Sequence, residues 1–238
     1  MRLPYFPLHV VVFPHLPLPL HIFEERYRAM ARDLVAQGSP YGGRFVVSMI
    51  TEGQEAGDVA VSTQRTGTIC ELHTAEQLPD GRWVMLAVGG QRARLGAIDR
   101  SGPYATVEVQ PLADEVGPGA RELLPAVQAA LDDYLVTVKR FAARAASKSD
   151  QPQARSQVAA QLDEVLKPIQ LPDDPIAASY AVGGVLQIEL TRKQQLLELP
   201  DAATRLRSEL DLLRRESRLL ADAAMPPLAS ADLGYNPN

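Results

Sequence analysis

The sequence predicts an α+β protein, with a β-rich part at residues 1–112, a helical part at residues 113–225 and a frayed tail at 226–238. Three observations predict it. Short runs of β-branched or alternating residues, such as Ala105-Thr106-Val107-Glu108-Val109, recur through the first part. Pro111 to Gly119 then has the composition of a linker. After it, Leu124, Val127, Leu131, Tyr134, Val138 and Phe141 recur at three- and four-residue steps, which places them on one face of a helix.

Taken in order, the expected strands are Val10–Phe13, Arg44–Ile50, Asp58–Thr63, Thr66–Ala75, Arg82–Val88, Ala93–Ile98 and Tyr104–Gln110. Asp80-Gly81 between two of them is a hairpin signal, because glycine takes positive φ at no steric cost. Many short strands with turn signals imply a barrel or a curled sheet. One helix interrupts the series from Glu24 to about Gln37, with Tyr27, Met30, Leu34 and Val35 as its apolar face and Gly38 as its stop.

In the helical part, Lys148 to Gln157 lacks apolar anchors and is expected to be a mobile loop. Asp174-Pro175 should open a helix, with Asp accepting the first amides and Pro at the first helical position, and Gly183-Gly184 should interrupt or strain it. Thr191 to Gln194 has capping-box spacing and should open a short helix ending near Leu199. The last helix runs from about Ala202 to Ala221, with Ala203, Leu206, Leu210, Leu213, Ser217 and Leu220 as its stripe and Arg207, Glu209, Arg214, Arg215 and Glu216 opposite. The two helical stripes each cover about three heptads, so packing within the chain is preferred over a coiled-coil seam. The oligomeric state stays open.

Composition narrows the function classes. The chain has 238 residues, 46% of them hydrophobic and 22% charged, with a formal net charge of −5. That acidic balance argues against a general nucleic-acid binder. A single cysteine, Cys70, cannot close an internal disulfide and fits a reducing compartment. Five prolines among the first 19 residues break any signal-peptide helix, and no run approaches the roughly 18 apolar residues of a membrane span. A cytoplasmic protein without membrane contact is expected.

Residues with chemistry are sparse. Gly-Lys never occurs, and Gly42-Gly43 and Gly89-Gly90 lead into strands, so no phosphate-cradling loop is expected and no nucleotide partner. No G-x-S-x-G turn is present, and Ser147-Lys148 lies in a polar stretch unsuited to holding a nucleophile beside its base. His9, His15 and His21 stand six residues apart across a proline-broken segment, which is not metal-ligand spacing even with Glu24 or Glu25 nearby. No cofactor, metal or catalytic residue is predicted. The apolar residues around the proline turn, Phe13 and Leu16 with His15 beside them, form either an exposed interaction patch or part of the core.

An ordered set of motifs carries a family resemblance. Leu3-Pro4-Tyr5-Phe6-Pro7-Leu8 through Phe13-Pro14, followed by Leu18-Pro19-Leu20-His21-Ile22-Phe23-Glu24-Glu25-Arg26-Tyr27, resembles the opening of the Lon protease N-terminal domain. Gly67-Thr68-Ile69, Asp80-Gly81-Arg82, Gly90-Gln91-Arg92-Ala93-Arg94-Leu95 and Pro103-Tyr104-Ala105-Thr106-Val107 resemble its later strands, and Lys193-Gln194-Gln195-Leu196-Leu197-Glu198 with Arg205-Leu206 its closing helices. His15 departs from the pattern, standing where the family usually has glycine, and the polar insert around residues 145–157 lengthens the helical hairpin. The resemblance implies a PUA-like β-barrel or curled sheet followed by a helical bundle, in a stand-alone relative lacking the ATPase and protease modules.

It further implies a non-catalytic protein that binds unfolded or hydrophobic polypeptide segments or a partner protein. Phe13, Leu16, Phe23, Tyr27 and Tyr104 are the candidate contact residues. Two alternatives are a PUA-like RNA-binding module using Arg92, Arg94 and Arg100, and an adaptor or assembly factor for a separately encoded protease.

Overall fold

The computed structural model describes residues 1–54, 61–147 and 168–222. The expected loop at Lys148 to Gln157, the tail from residue 226 and the first half of the expected strand Asp58–Thr63 lie outside these residues.

Seven strands form one sheet: β1 Arg2–Leu8, β2 Pro17–Ile22, β3 Arg44–Glu52, β4 Ser62–Thr63, β5 Thr66–Gln77, β6 Trp83–Asp99 and β7 Thr106–Pro111. Five of them close on themselves. β1 pairs with β7, β7 with β6, β6 with β5, β5 with β3, and β3 returns to β1 through the sheet's one parallel pairing. The expected barrel is therefore present. β5 and β6 extend past it as a hairpin, and β2 adds to that extension by pairing with β6 alone.

The N-terminal strands differ from expectation. Val10–Phe13, buried from Val11 on, is not a strand, and the strands are the proline-bearing segments on either side of it. β1 tolerates Pro4 and Pro7 because it changes neighbours midway: Arg2 to Pro4 face β7, whereas Tyr5 to Leu8 face β3. Each half has an unpaired side where a missing N–H breaks no ladder bond. Gly89-Gly90 also differs, lying inside the single long strand β6. A Cβ at Gly89 would collide with the carbonyl oxygen of Phe13, so that glycine permits a close backbone approach.

Five helices are described: α1 Glu25–Val35, α2 Ala120–Ser147, α3 Pro175–Val185, α4 Leu190–Glu198 and α5 Ala202–Asp222. α1 buries Tyr27, Met30 and Leu34 as expected, but Val35 is exposed. α3 is capped as expected, the Ala177 N–H donating to the Asp174 carboxylate at 2.9 Å. It runs unbroken through Gly183-Gly184, contrary to expectation. α4 starts at Leu190, so Thr191 lies within the helix, and Glu189 occupies the cap position without a side-chain hydrogen bond. In α5 the stripe through Ala203, Leu206, Leu210 and Leu213 is buried, and so is Glu209, which the pattern had placed on the polar face.

Two compact units result: Met1–Glu115 with Gly183–Pro200, and the described residues of Val116–Val182 and Asp201–Tyr235. In the first, one apolar cluster joins Leu3, Tyr5, Val46, Ile69, Leu95, Val107 and Val109. Another, on the alternate strand positions, joins Phe6, Leu8, Leu20, Ile22, Phe45, Val47 and Met85 to Tyr27, Met30 and Leu34 of α1. In the second unit α2 and α5 pack together. Among the described residues, no helix is long and apolar enough to cross a membrane.

Candidate functional site

The first unit carries a shallow recess of about 10 Å3 where the end of β1 meets the passage from β2 into α1. Phe6, Pro7 and Leu8 form one wall, and His21, Ile22, Phe23, Glu24 and Tyr27 the other. The Tyr27 ring lies 4.3 Å from that of Phe6, and the Arg26 guanidinium lies 4.5 Å from the centroid of the Tyr27 ring while pairing with Glu24 at 3.0 Å. These contacts fix the first turn of α1 against β1. That volume holds about one water molecule and is far below the roughly 300–1,000 Å3 typical of small-molecule sites.

The five sequence candidates fall in three places. Phe23 and Tyr27 meet at the recess, Phe23 being 41% exposed and Tyr27 6%. Phe13 and Leu16 belong to the proline turn, where Phe13 is core and Leu16 half-buried. Tyr104 is buried elsewhere, its hydroxyl donating to Asp33 at 2.5 Å. Burial, reinforced by the neighbouring Asp33 and Tyr41, pushes its pKa up. Burial does the same to Cys70.

The proline turn is built around glycines. The N–H of His15 donates to Gly89 at 2.7 Å and the N–H of Gly89 to Leu16 at 2.9 Å. Phe13 presses on Gly183, where a Cβ would lie 2.9 Å from the ring, and Leu16 presses on Gly184. His15 has φ +66°, the left-handed conformation that glycine favours.

Of the three arginines considered for RNA contact, Arg94 and Arg100 are exposed and Arg92 is 3% exposed. Arg92 binds the Asp114 carboxylate at 2.6 Å and donates to the carbonyls of Leu197 and Leu199, both at 2.8 Å. Gln194 of α4 donates to Thr66 of β5 at 3.0 Å. These bonds hold α4 to the barrel. Among the described residues, no three His, Cys, Asp or Glu side chains are grouped to hold a metal ion.

One exposed surface was not foreseen from the residue pattern. Val84 and Leu86 on β6 are 48% and 38% exposed, within a run apolar at every position from Trp83 to Val88. A run of that kind is the mark of a strand covered on both faces, so periodicity could not show which face is open.

The fold is shared with Lon N-terminal domains. The Lon N-terminal domain protein of Xanthomonas campestris superposes with a TM-score of 0.57 at 20% identity, over 89% of this chain and 98% of that one. The N-terminal domain of the Mycobacterium avium complex Lon protease gives 0.57 at 16% identity, over 90% and 98%. The model of the ATP-dependent protease La (LON) substrate-binding domain matches residues 2–215, and the chain belongs to that family. The Lon protease of Escherichia coli K12 is 28% identical over 92% of this chain, and that of Trichlorobacter lovleyi 26% identical over 98%. The chain spans about a quarter of the length of these two relatives, 26% in each case.

Proposed function

We propose that the protein is a non-catalytic binding module for apolar segments of unfolded polypeptides, acting in the cytoplasm through its β-rich part, residues 1–112. The observation that carries this reading is the family match over residues 2–215 to a substrate-binding domain. The exposed Phe23 at the rim of the recess supports it, since its ring offers aromatic area to an apolar side chain. In this reading Phe23 makes contact, with Tyr27 packed beneath the same rim, and Phe13, Leu16 and Tyr104 hold the surrounding frame.

Fluorescence anisotropy of a labelled, permanently unfolded polypeptide tests it, run at low and high salt beside a labelled single-stranded RNA. Saturable polypeptide binding that persists in high salt is expected, because buried apolar area is little screened. RNA binding that collapses with salt would replace this reading with the PUA-like one.

A further inference from the structure

α2 is the longest helix described, and its two faces differ. Val127, Leu131, Tyr134 and Leu135 are buried within the helical unit. The opposite face carries Ala129, Asp132, Asp133, Val136, Arg140 and Ala143, all of them exposed. Val136 is 46% exposed and is the large hydrophobic residue of α2 that the fold leaves open. Ala129, Val136 and Ala143 are spaced by seven residues, or two turns, so they lie on one line about 21 Å long. Asp132 stands four residues before Val136 and Arg140 four residues after it. Asp132 accepts a hydrogen bond from Gln128 at 2.9 Å, and neither Asp133 nor Arg140 has an ion-pair partner among the described residues.

The order along this face is alanine, acid, valine, base, alanine, and reversing it gives its complement. When two copies of α2 are laid antiparallel with their Val136 side chains together, each Asp132 meets the other copy's Arg140. Ala129 then meets Ala143, and Asp133 comes opposite the half-buried Lys139, since each pair is equally far from Val136. A parallel arrangement would instead set acid against acid and base against base, which is repulsive. We propose that this face of α2 joins two copies of the chain as an antiparallel helix pair crossing at Val136. A two-fold interface uses the same patch on both subunits and so has to complement itself, which is what selects a second copy over a foreign helix. The alanines at either end let the helices approach towards the near end of the roughly 8–10 Å range of interaxial distances. One helix face is at the low end of interface sizes, below roughly 1,200 Å2, so the dimer is reversible. The proposal stands apart from polypeptide binding and uses a different unit of the chain.

Sedimentation velocity of the full chain from about 1 to about 500 μM tests it, because mass action makes a reversible dimer depend on concentration. The wild type should be monomeric at the low end and dimeric towards the high end, and high salt should weaken the dimer. Val136→Glu sets two carboxylates together at the crossing and should weaken association about tenfold or more. Its dilute thermal melt should match wild type, because the position is exposed. D132R and R140D should each associate poorly alone. An equimolar mixture of the two should associate again, since one copy then offers bases where the other offers acids, and D132R/R140D should dimerise like wild type. A wild type that stays monomeric throughout would overturn the proposal, as would a dimer that V136E leaves intact. Failure of the D132R and R140D mixture to associate, where V136E dissociates the wild-type dimer, would overturn the antiparallel register.

Discussion

Each unit buries one arginine almost completely, and the two are handled differently. Arg92 in the barrel unit is 3% exposed and Arg205 in the helical unit 1%. Arg92 meets a carboxylate directly, and its remaining donors reach three backbone carbonyls, those of Ala113, Leu197 and Leu199. Arg205 has an acid one turn away on α5, Glu209, but its donors go to Ser179 at 2.8 Å and the Tyr180 hydroxyl at 3.2 Å, with the guanidinium 4.1 Å from the Tyr180 ring centroid. Both Glu209 oxygens are buried without a hydrogen-bond partner. A buried charge can thus be neutralised by contact in one unit and left to a proton in the other. In the barrel unit the arginine holds backbone segments together; in the helical unit the acid is the group left wanting.

The largest effect should come from breaking the satisfied arginine. Arg92→Ala strands Asp114 and three carbonyls at once, and loss of one partner of a buried pair costs about 3–5 kcal/mol. Chemical denaturation should show a correspondingly lower midpoint. Arg92→Lys should recover little, because one ammonium cannot reach a carboxylate and several carbonyls with the geometry of a guanidinium fork. If Arg92→Met were as stable as wild type, the clamp would be replaceable by packing alone.

A smaller, pH-dependent effect should mark the acid. Burial raises the pKa of Glu209 well above the ordinary carboxylate range, with Arg205 opposing the shift. The unfolded chain loses this proton near the usual value of about 4.3, whereas the folded chain keeps it. The contribution is therefore fully present below pH of about 4.3 and is lost as pH rises towards the folded pKa, at no more than about 1.4 kcal/mol per pH unit. Glu209→Gln should match wild type in acid and become relatively more stable as pH increases, read as a shallower fall in melting temperature. Parallel curves for the two proteins would show that Glu209 is ionised in the fold.

This contrast also marks where the sequence was legible. The α2 and α5 stripes and the Asp174 cap follow from local rules, because a helix encodes its buried face every three or four residues. Glu209 broke the rule: a charged residue beside the stripe looks solvated unless its neighbour's burial is known. The strands β1 and β2 were hidden by prolines that argue against a strand until the pairing partners are known: β1 changes neighbours at Pro4–Tyr5, and β2 pairs with β6 alone. Gly89-Gly90 read as a lead-in between two strands because sequence does not show that another backbone, that of Phe13, comes so near. Of the candidate site, the aromatic pair Phe23 and Tyr27 could be picked from the β2–α1 passage. Phe13 and Tyr104 could not be separated from core residues, and the open face of β6 could not be told from its covered one.

The barrel unit has a local cost of its own, in backbone rather than charge, and it offers the smallest and sharpest test. His15 holds a left-handed backbone, at φ +66°. The hydrogen bonds that His15 and Leu16 make with Gly89 keep it in place. A left-handed L-residue costs about 1–2 kcal/mol, while glycine costs about 0.5–1 kcal/mol in extra unfolded-chain freedom. His15→Gly should therefore stabilise the protein by about 0.5–1 kcal/mol in denaturant titration. His15→Ala separates the two influences, since alanine keeps the strain and removes the imidazole. A gain with glycine and little change with alanine would assign the effect to the backbone. A loss with both would mean that contacts of the imidazole outweigh the strain, and that this turn is held by its histidine.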